Sequence, residues 1–306
     1  MIPLAEFKSN KISGIVVGIA AYTMWGLFPL YWKLLLHVNP YEILSHRIVW
    51  SCLFTALLLA LQKRLKEVRR IVKQPKLLFY LIVSGALVSL NWGIYIWAVN
   101  NGRILESSLG YYLNPLISVL LGVIIFKEKF DTWLGLASLL ALCGIVIFIV
   151  KLNTFPWISL SLAASFAVYG VLKKVVKIES VAALMVETLS MTPIALWYIA
   201  VINRTGIGAF EQGSVVTIIL LLFAGVVTSV PLLLYAEGVK KLPLTVMGFL
   251  QYISPTGQFL LGVLVYHEQF NVEKALTFGF VLAGLVIFMT TRNKNISVSE
   301  EIITKN

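Results

Sequence analysis

The chain has 306 residues, of which 59% are hydrophobic and 13% are charged, whereas about 25% of the residues are charged in a typical soluble protein. This composition excludes a soluble globular protein, because so large an apolar surface has to face lipid. The net charge of +11 does not indicate a nucleic-acid partner, since the basic residues lie in short segments beside apolar stretches. Two cysteines in apolar segments and three scattered histidines lack the spacing of a metal site, so we predict neither a metal nor another cofactor.

Apolar stretches long enough to cross a hydrocarbon core of about 30 Å recur along the chain. The first is longer than the apolar part of a signal peptide, and we expect it to be retained. Hydropathy and charged breaks predict an all-α polytopic membrane protein with ten transmembrane helices. These spans are placed near residues 12–33, 43–61, 77–99, 104–126, 132–150, 156–172, 181–202, 214–236, 244–266 and 271–291.

The distribution of basic residues predicts that both termini are cytoplasmic. In that orientation, 19 lysines and arginines lie in inner segments and five lie in outer segments. Multi-pass proteins carry such an excess on the cytoplasmic side. We therefore expect an N-in, C-in protein of the bacterial cytoplasmic membrane. The basic segment 63–76 has two interpretations, a lipid-headgroup site or a topology determinant, and the second is simpler.

The sequence contains an internal repeat with a shift of 140 residues. Residues 112–148 align with 252–288 without a gap, and 14 of these 37 pairs are identical. Each half contributes five spans, and because five is an odd number the second half runs in the opposite direction. Inverted repeats of this kind are typical of secondary transporters. We predict a first five-helix repeat at 1–152, a second at 153–291 and a polar cytoplasmic tail at 292–306.

Several motifs also resemble the EamA family of the drug/metabolite transporter superfamily. The resemblance covers nearly the whole chain. It rests on AAYTMWGLFPLYWK at 20–33, EILSHRIVWS at 42–51, NWGIYIWAVNN at 91–101 and ESSLGYYLNPL at 106–116, together with the paired Glu128 and Glu268. The resemblance implies a ten-helix fold with both termini inside and a transport role whose substrate is generally unassigned. We expect the two glutamates to cap or orient the start of the following helix.

Both repeats contain a helix with a proline near the middle of the bilayer, Pro115 in span four and Pro255 in span nine. We expect both helices to be interrupted there, and interruptions at matching places in inverted repeats indicate a binding site. The alternative is a pair of structural kinks. Polar and aromatic residues at similar depth are the candidate substrate-binding residues: Tyr22, Trp25, Asn91, Trp92, Tyr95, Tyr111, Asn114, Gln251, Tyr252 and Ser254.

Ionisable residues inside the spans need an explanation, because a charge at the centre of a transmembrane helix costs about 2.5 to 3.5 kcal/mol. His46, Arg47 and Glu187 are candidates for gating or coupling. In that interpretation Arg47 attracts an anionic group, and His46 or Glu187 carries a proton. In the alternative, Glu42 and His46 satisfy each other on one helix face, and Arg47 reaches outward to the interface.

These features together predict a secondary transporter, an exporter or exchanger of small organic metabolites or drugs, with alternating access to a midplane site between the repeats. No phosphate-binding loop and no zinc-protease or serine-hydrolase motif is present, so we predict no catalytic residues and no metal site. A membrane-embedded sensor or enzyme is the alternative. Gly14 and Gly18 provide a candidate homodimer face, although packing within one chain is the simpler interpretation.

Overall fold

The computed structural model describes residues 4–126, 132–152, 155–176, 178–241, 250–272, 275–276, 278–280, 282–284 and 286–287. Every regular element in this part of the chain is helical. The helices are α1 (Leu4–Gly26), α2 (Phe28–Lys33), α3 (Pro40–Leu61), α4 (Leu65–Val72), α5 (Pro75–Asn100), α6 (Ile104–Phe126), α7 (Thr132–Leu152), α8 (Trp157–Val175), α9 (Ser180–Arg204), α10 (Ala209–Gln212), α11 (Val215–Lys241) and α12 (Ile253–Leu260), which continues into a π-helical turn at Leu261–Val265.

Five helical segments among the described residues are long and apolar enough to cross a membrane. They are Ile12–Lys33, Pro40–Leu61, Pro75–Asn100, Ser180–Arg204 and Val215–Tyr235, and they coincide with predicted spans one, two, three, seven and eight. Shorter apolar helices lie at Trp157–Lys173 and Ile253–Val265, within spans six and nine. The prediction of an all-helical, multi-pass membrane protein is confirmed. Parts of spans nine and ten, and the whole tail 292–306, lie outside the described residues.

The first predicted span is divided into two helices. α1 ends at Gly26 and α2 begins at Phe28, with Pro29 in its first turn, where a helix does not need the missing N–H. Gly26 packs closely against α12, because an added Cβ would lie 3.3 Å from the carbonyl oxygen of Ser254. The absence of a side chain at Gly26 therefore allows α1 to approach α12.

The two predicted proline breaks differ in the structure. α6 runs from Ile104 to Phe126 through position 115, so the break expected at Pro115 is absent from the backbone helix. A membrane helix tolerates a proline when neighbouring groups satisfy the freed carbonyl. In the ninth span, the chain turns at Tyr252, and Pro255 lies in the first turn of α12. Pro255 therefore marks the start of a short helix.

Glu268 caps α6, a helix of the first half of the chain, whereas Glu128, for which we expected the same kind of role, lies outside the described residues. The two carboxylate oxygens of Glu268 accept hydrogen bonds from the backbone N–H groups of Ile104 and Leu105, at 2.9 and 3.0 Å. These groups belong to the first turn of α6, where unpaired N–H donors favour a carboxylate. Glu268 thus joins the second half of the chain to the first.

Two glycines allow close helix crossings in the interior. Gly85 of α5 faces α9, and an added Cβ would lie 2.6 Å from the carbonyl oxygen of Glu187. Gly225 of α11 faces α3, and an added Cβ would lie 2.2 Å from the carbonyl carbon of Trp50. Small residues at such crossings let helix backbones approach closely in a membrane. These crossings place α3, α5, α9 and α11 around the centre of the protein.

We predict that Gly225→Ala destabilises the protein, because the new methyl group forces α11 away from α3. Overpacking of this kind typically costs about 1 to 3 kcal/mol. Thermal unfolding of the purified protein in detergent measures the effect. Gly170→Ala is the matched control, since nothing lies within 4 Å of its added Cβ. Equal melting temperatures for the two variants would contradict the close crossing.

Candidate functional site

A central cavity lies where helices from both halves of the chain meet. It has about 570 Å³ of empty space, including its open mouth. Its walls come from α1, α2, α3, α5, α6, α8, α11 and the region of α12. The lining residues are Tyr22, Trp25, Phe28, Arg47, Asn91, Trp92, Tyr95, Tyr111, Phe166, Leu232, Gln251, Ser254, Pro255 and Gln258.

Eight of the ten predicted substrate-binding residues line this cavity, namely Tyr22, Trp25, Asn91, Trp92, Tyr95, Tyr111, Gln251 and Ser254. Asn114 lies behind the wall, where its Oδ1 accepts a hydrogen bond from Gln251 Nε2 at 3.0 Å and its Nδ2 donates to the carbonyl of Ala163 at 3.2 Å. Tyr252 stacks on Tyr112 instead, with ring centroids 6.2 Å apart. Asn114 and Tyr252 can therefore support the wall, but neither of them lies at its surface.

Aromatic rings form two opposing parts of the cavity wall. On one side, Tyr22 and Trp25 pack against each other with centroids 5.4 Å apart, and both contact Tyr235. On the other side, the ring of Tyr111 lies 5.9 Å from Tyr95 and 6.4 Å from Phe166. Edge-to-face and tilted contacts of this kind hold rings in fixed orientations. The cavity therefore presents flat apolar surfaces that suit a planar or aliphatic group.

Polar side chains fix the helices around these rings. Asn91 donates from Nδ2 to the carbonyl of Leu162 at 3.0 Å and to Ser165 Oγ at 2.9 Å, which joins α5 to α8. Its Oδ1 accepts a hydrogen bond from the Tyr111 hydroxyl at 3.2 Å. With both ends of its amide occupied by protein groups, Asn91 positions the wall and the Tyr111 ring.

Arg47 lies on the cavity wall and is only 2% exposed. An aromatic cage surrounds it: the guanidinium carbon lies 4.2 Å from the ring centroid of Trp92, 5.0 Å from Trp32 and 5.6 Å from Phe28. Within the described part of the chain, its Nε and Nη1 have no hydrogen-bond partner. The alternative in which Arg47 reaches outward to the interface is therefore wrong. Its contacts with Phe28 and Trp32 of α2 and Trp92 of α5 hold the guanidinium in the interior instead.

His46 is adjacent to Arg47 in sequence but does not line the cavity. Its ring packs on Phe210 with centroids 4.8 Å apart, and its Nδ1 accepts a hydrogen bond from Trp50 Nε1 at 3.2 Å. Its Nε2 lies 4.0 Å from Glu42 Oε1, which also accepts the backbone N–H of Ala209 at 2.7 Å. Glu42 and His46 are thus adjacent, but they do not satisfy each other, because Nε2 has no hydrogen-bond partner among the described residues, and Glu42 instead connects α3 to α10.

Glu187 lies outside the cavity wall, in a buried polar network. The carboxylate is fully buried, and its Oε1 lies 2.5 Å from Lys173 Nζ and accepts a hydrogen bond from Ser84 Oγ at 2.7 Å. The Tyr169 hydroxyl donates to the other oxygen at 3.4 Å. The network therefore joins α5, α8 and α9, and Glu187 has a compensating charge there.

Four wall residues were not among the predicted site residues: Phe28, Phe166, Leu232 and Gln258. The first three are apolar residues in apolar spans, so no sequence pattern separates them from lipid-facing neighbours. Gln258 follows Ser254 by four residues, which places both on one helix face. Its Nε2 donates to the carbonyl of Trp25 at 3.2 Å and to Ser254 Oγ at 3.3 Å. The spacing of Ser254 and Gln258 was the one sequence signal that could have indicated Gln258 as a wall residue.

These features define an all-helical, multi-pass membrane protein with a cavity of aromatic, amide and guanidinium groups at its centre. The EamA-like transporter family matches residues 12–150 and again residues 156–290. The chain belongs to this family, which confirms the resemblance in the sequence motifs. Among the described residues, no group of three histidine, cysteine, aspartate or glutamate side chains could hold a metal ion.

Similar proteins have the same extent as this chain. It is 41% identical to "Protein RarD" of Salmonella typhi over 276 residues, which cover 90% of this chain and 94% of the relative. It is 43% identical to "Uncharacterized transporter YojE" of Bacillus subtilis (strain 168) over 285 residues, 92% of this chain and 95% of the relative. A crystal structure of another protein matches with a TM-score of 0.62 and 16% identity, covering 90% of this chain and 96% of that one. At that identity, the likeness concerns the fold alone.

We predict that Glu187→Leu destabilises the protein, because Lys173 loses its counter-ion. Breaking a buried pair costs about 3 to 5 kcal/mol, and the expected loss is smaller, about 2 to 3 kcal/mol, since Lys173 is 29% exposed and can reach water. The double variant Lys173→Met/Glu187→Leu should recover most of this loss. Thermal unfolding in detergent measures both.

Glu67→Gln is the control for this comparison, because its pair with Arg64 is exposed and is worth at most about 1 kcal/mol. If Glu187→Leu unfolds at the same temperature as Glu67→Gln, the buried pair does not stabilise the fold. If the double variant is no more stable than Glu187→Leu, the unpaired lysine is not the cause of the loss.

Proposed function

We propose that this protein is a secondary transporter, an exporter or exchanger, that moves small organic metabolites or drugs across the bacterial cytoplasmic membrane. In this proposal, the central cavity holds the substrate and opens alternately to the two sides. The EamA-like family and relatives named as transporters support a transport role. The substrate class, the direction and the mechanism are inferences from the geometry of the cavity.

The observation that carries the proposal is that equivalent positions of the two repeats line one cavity. Trp25 and Phe166 are related by a shift of 141 residues, and both lie on the wall. Tyr111 and Gln251, related by the shift of 140, are also both on the wall. A site built from equivalent positions lies on the axis between two repeats, as alternating access around a fixed site requires.

Helix packing supports two related five-helix repeats, 1–152 and 153–291. Their inverted orientation, with both termini in the cytoplasm, is part of the proposal and rests on the distribution of basic residues. α1 packs on α11 as α8 packs on α5, and α3 packs on α11 as α9 packs on α5. In span numbers, the contact between spans one and eight corresponds to the contact between spans six and three. The contact between spans two and eight corresponds to the contact between spans seven and three. Gly85 and Gly225 at the close crossings are 140 residues apart. The two separate family matches agree with this division.

We propose that contacts between the repeats on each side of the cavity act as gates. The outer contacts join Tyr31 to the Leu220 carbonyl, His37 Nε2 to Thr217 Oγ1 at 2.8 Å and Glu42 to the Ala209 N–H at 2.7 Å. His46 supports this set through Glu42 and Phe210.

The inner contacts join Arg64 to Glu179 at 3.4 Å, Ser84 to Glu187 at 2.7 Å and Lys241 to Ser13 at 3.1 Å. His46 and Glu187, related by the shift of 141, therefore belong to opposite gates, as inverted symmetry requires. Opening one set while the other stays closed would expose the cavity to one side of the membrane. Either residue is a candidate for coupling transport to protons.

The alternative, a membrane-embedded sensor or enzyme, has less support. An enzyme that used Glu42 and His46 would need both side chains to face an enclosed pocket, and neither is among the residues that line the cavity. A sensor needs no gates on both sides. The homodimer interpretation of Gly14 and Gly18 also has less support, since both glycines are buried within the chain.

We predict that the purified protein in liposomes moves at least one compound of a metabolite and antibiotic panel saturably, with or without an imposed pH gradient. Trp25→Ala removes part of the wall, and Asn114→Ala removes the support of Gln251. Each should lower the rate constant for transport about tenfold, which corresponds to about 1.4 kcal/mol. Radiolabelled uptake measures the change.

Trp197→Ala is the matched control, because Trp197 is 66% exposed on the outer surface of α9 and should not affect uptake. Proteoliposomes without protein define the background for each compound. Two results would contradict the proposal: no saturable movement of any compound under either condition, or equal loss of uptake in Trp25→Ala and Trp197→Ala.

A further inference from the structure

The interior contains a positive charge that no described protein group compensates. Arg47 is 2% exposed, and its Nε and Nη1 atoms have no hydrogen-bond partner within the described residues. Arginine keeps its charge even when buried, because its delocalised guanidinium is not deprotonated in proteins. The cavity beside it therefore carries a formal charge of about +1 in the absence of a ligand.

The buried acidic side chains near the two gates are already occupied. Glu42 accepts the backbone N–H of Ala209 and lies beside His46. Glu187 is paired with Lys173 and accepts from Ser84 and Tyr169. Neither carboxylate lines the cavity. A counter-ion for Arg47 therefore has to come from outside these two networks.

The aromatic cage orients Arg47 but does not neutralise it. Cation–π contacts are worth about 0.5 to 2 kcal/mol each, whereas removing an ion from water costs several kcal/mol even after relaxation. The faces of Phe28, Trp32 and Trp92 also hold the guanidinium in one position. A positioned guanidinium whose Nε and Nη1 have no partner among the described residues is suited to a two-point contact with a carboxylate, whose oxygens match its N–H groups.

Other groups on the cavity wall indicate the chemistry of the remainder of a ligand whose anionic group contacts Arg47. Tyr95 lines the cavity, and its hydroxyl is buried and has no hydrogen-bond partner in the described chain. It can donate a second hydrogen bond to an anion near Arg47. The rings of Trp25, Tyr111 and Phe166 provide apolar faces for the remainder of a ligand.

We propose that the cavity binds an organic carboxylate with a flat, apolar body, and that Arg47 binds its carboxylate group. The inference rests on the proposed function, because it names the substrate class of the same cavity. It makes Arg47 the residue that distinguishes an acid from the corresponding amide or amine. Phe28, Trp32 and Trp92 are positioning residues that hold the guanidinium for this contact.

The test uses matched ligands that differ only in charge. The probes are benzoate, phenylacetate, 3-phenylpropanoate and indole-3-acetate, each compared with its neutral amide and with the amine of the same body. Isothermal titration calorimetry with the purified full-length protein in detergent at neutral pH measures binding directly. We expect at least one carboxylate to bind about tenfold or more tightly than its amide and amine, which corresponds to about 1.4 kcal/mol.

Arg47→Gln should abolish the preference for the carboxylate. Arg47→Lys keeps the charge but not the planar fork, and it should retain part of the preference. Arg69→Gln, which changes an exposed arginine of α4 outside the cavity and outside both gates, should bind like the unchanged protein. Melting curves of all variants, with and without the acid, separate loss of folding from loss of binding, since a bound ligand raises the melting temperature only of a protein that binds it.

The outcomes separate this inference from the proposed function. If no carboxylate binds more tightly than its amide, or if Arg47→Gln retains the preference, the inference is overturned. Liposome uptake of neutral compounds would then leave transport standing without an anionic substrate. If the carboxylate binds through Arg47 but no compound moves across liposomes, the site assignment stands and the transport proposal fails.

Discussion

The guanidinium of Arg47 constrains the helices that surround it. A charge in the interior of a membrane protein needs partners, and here aromatic rings from two elements contact it: Phe28 and Trp32 from α2, and Trp92 from α5. α2 begins directly after the segment in which Gly26, without a side chain, allows α1 to contact the start of α12.

Carboxylates that cap helix starts join the two halves of the chain. Glu42 caps Ala209, and Glu268 caps Ile104 and Leu105, so in each case an acid from one half satisfies backbone N–H groups of the other half. N–H groups at helix starts can bond to water when the acid leaves. Such contacts therefore cost little to open in the presence of water, which is what reversible gates require. In the inner gate, the buried carboxylate of Glu187 can keep Lys173, a residue of its own half of the chain, as its partner when the contact with Ser84 opens.

The sequence was sufficient to predict the helical membrane fold, because span length and charge distribution follow directly from the thickness and polarity of the bilayer. It also located eight of the ten predicted wall residues, since polar and aromatic groups at mid-span depth are costly unless they face a cavity. It did not predict the direction of Arg47. A snorkelling arginine and a buried one have the same local sequence, and only the long-range approach of α2 decides between them.

Other differences between the sequence predictions and the structure also depend on long-range packing. Position 115 and Pro255 align in the repeat, yet α6 continues through the first while α12 begins just before the second, because neighbouring helices decide whether a freed carbonyl is satisfied. Phe166 and Leu232 line the cavity although they are apolar residues in apolar spans. No sequence pattern separates an apolar side chain that faces a cavity from one that faces lipid. The direction of a side chain around its helix was therefore predictable for most of the uncharged polar and aromatic groups at mid-span, but not for the apolar residues or for Arg47.

Access to the cavity from each side of the membrane tests the central claim most directly. Ser254 lines the cavity, so Ser254→Cys in a chain with Cys52→Ala and Cys143→Ala reports on its access to a membrane-impermeant maleimide. In right-side-out and inside-out vesicles, the account predicts labelling from both sides and a slower reaction when a transported compound is present. Labelling from one side alone, whether or not any compound of the panel is present, would contradict alternating access to this cavity.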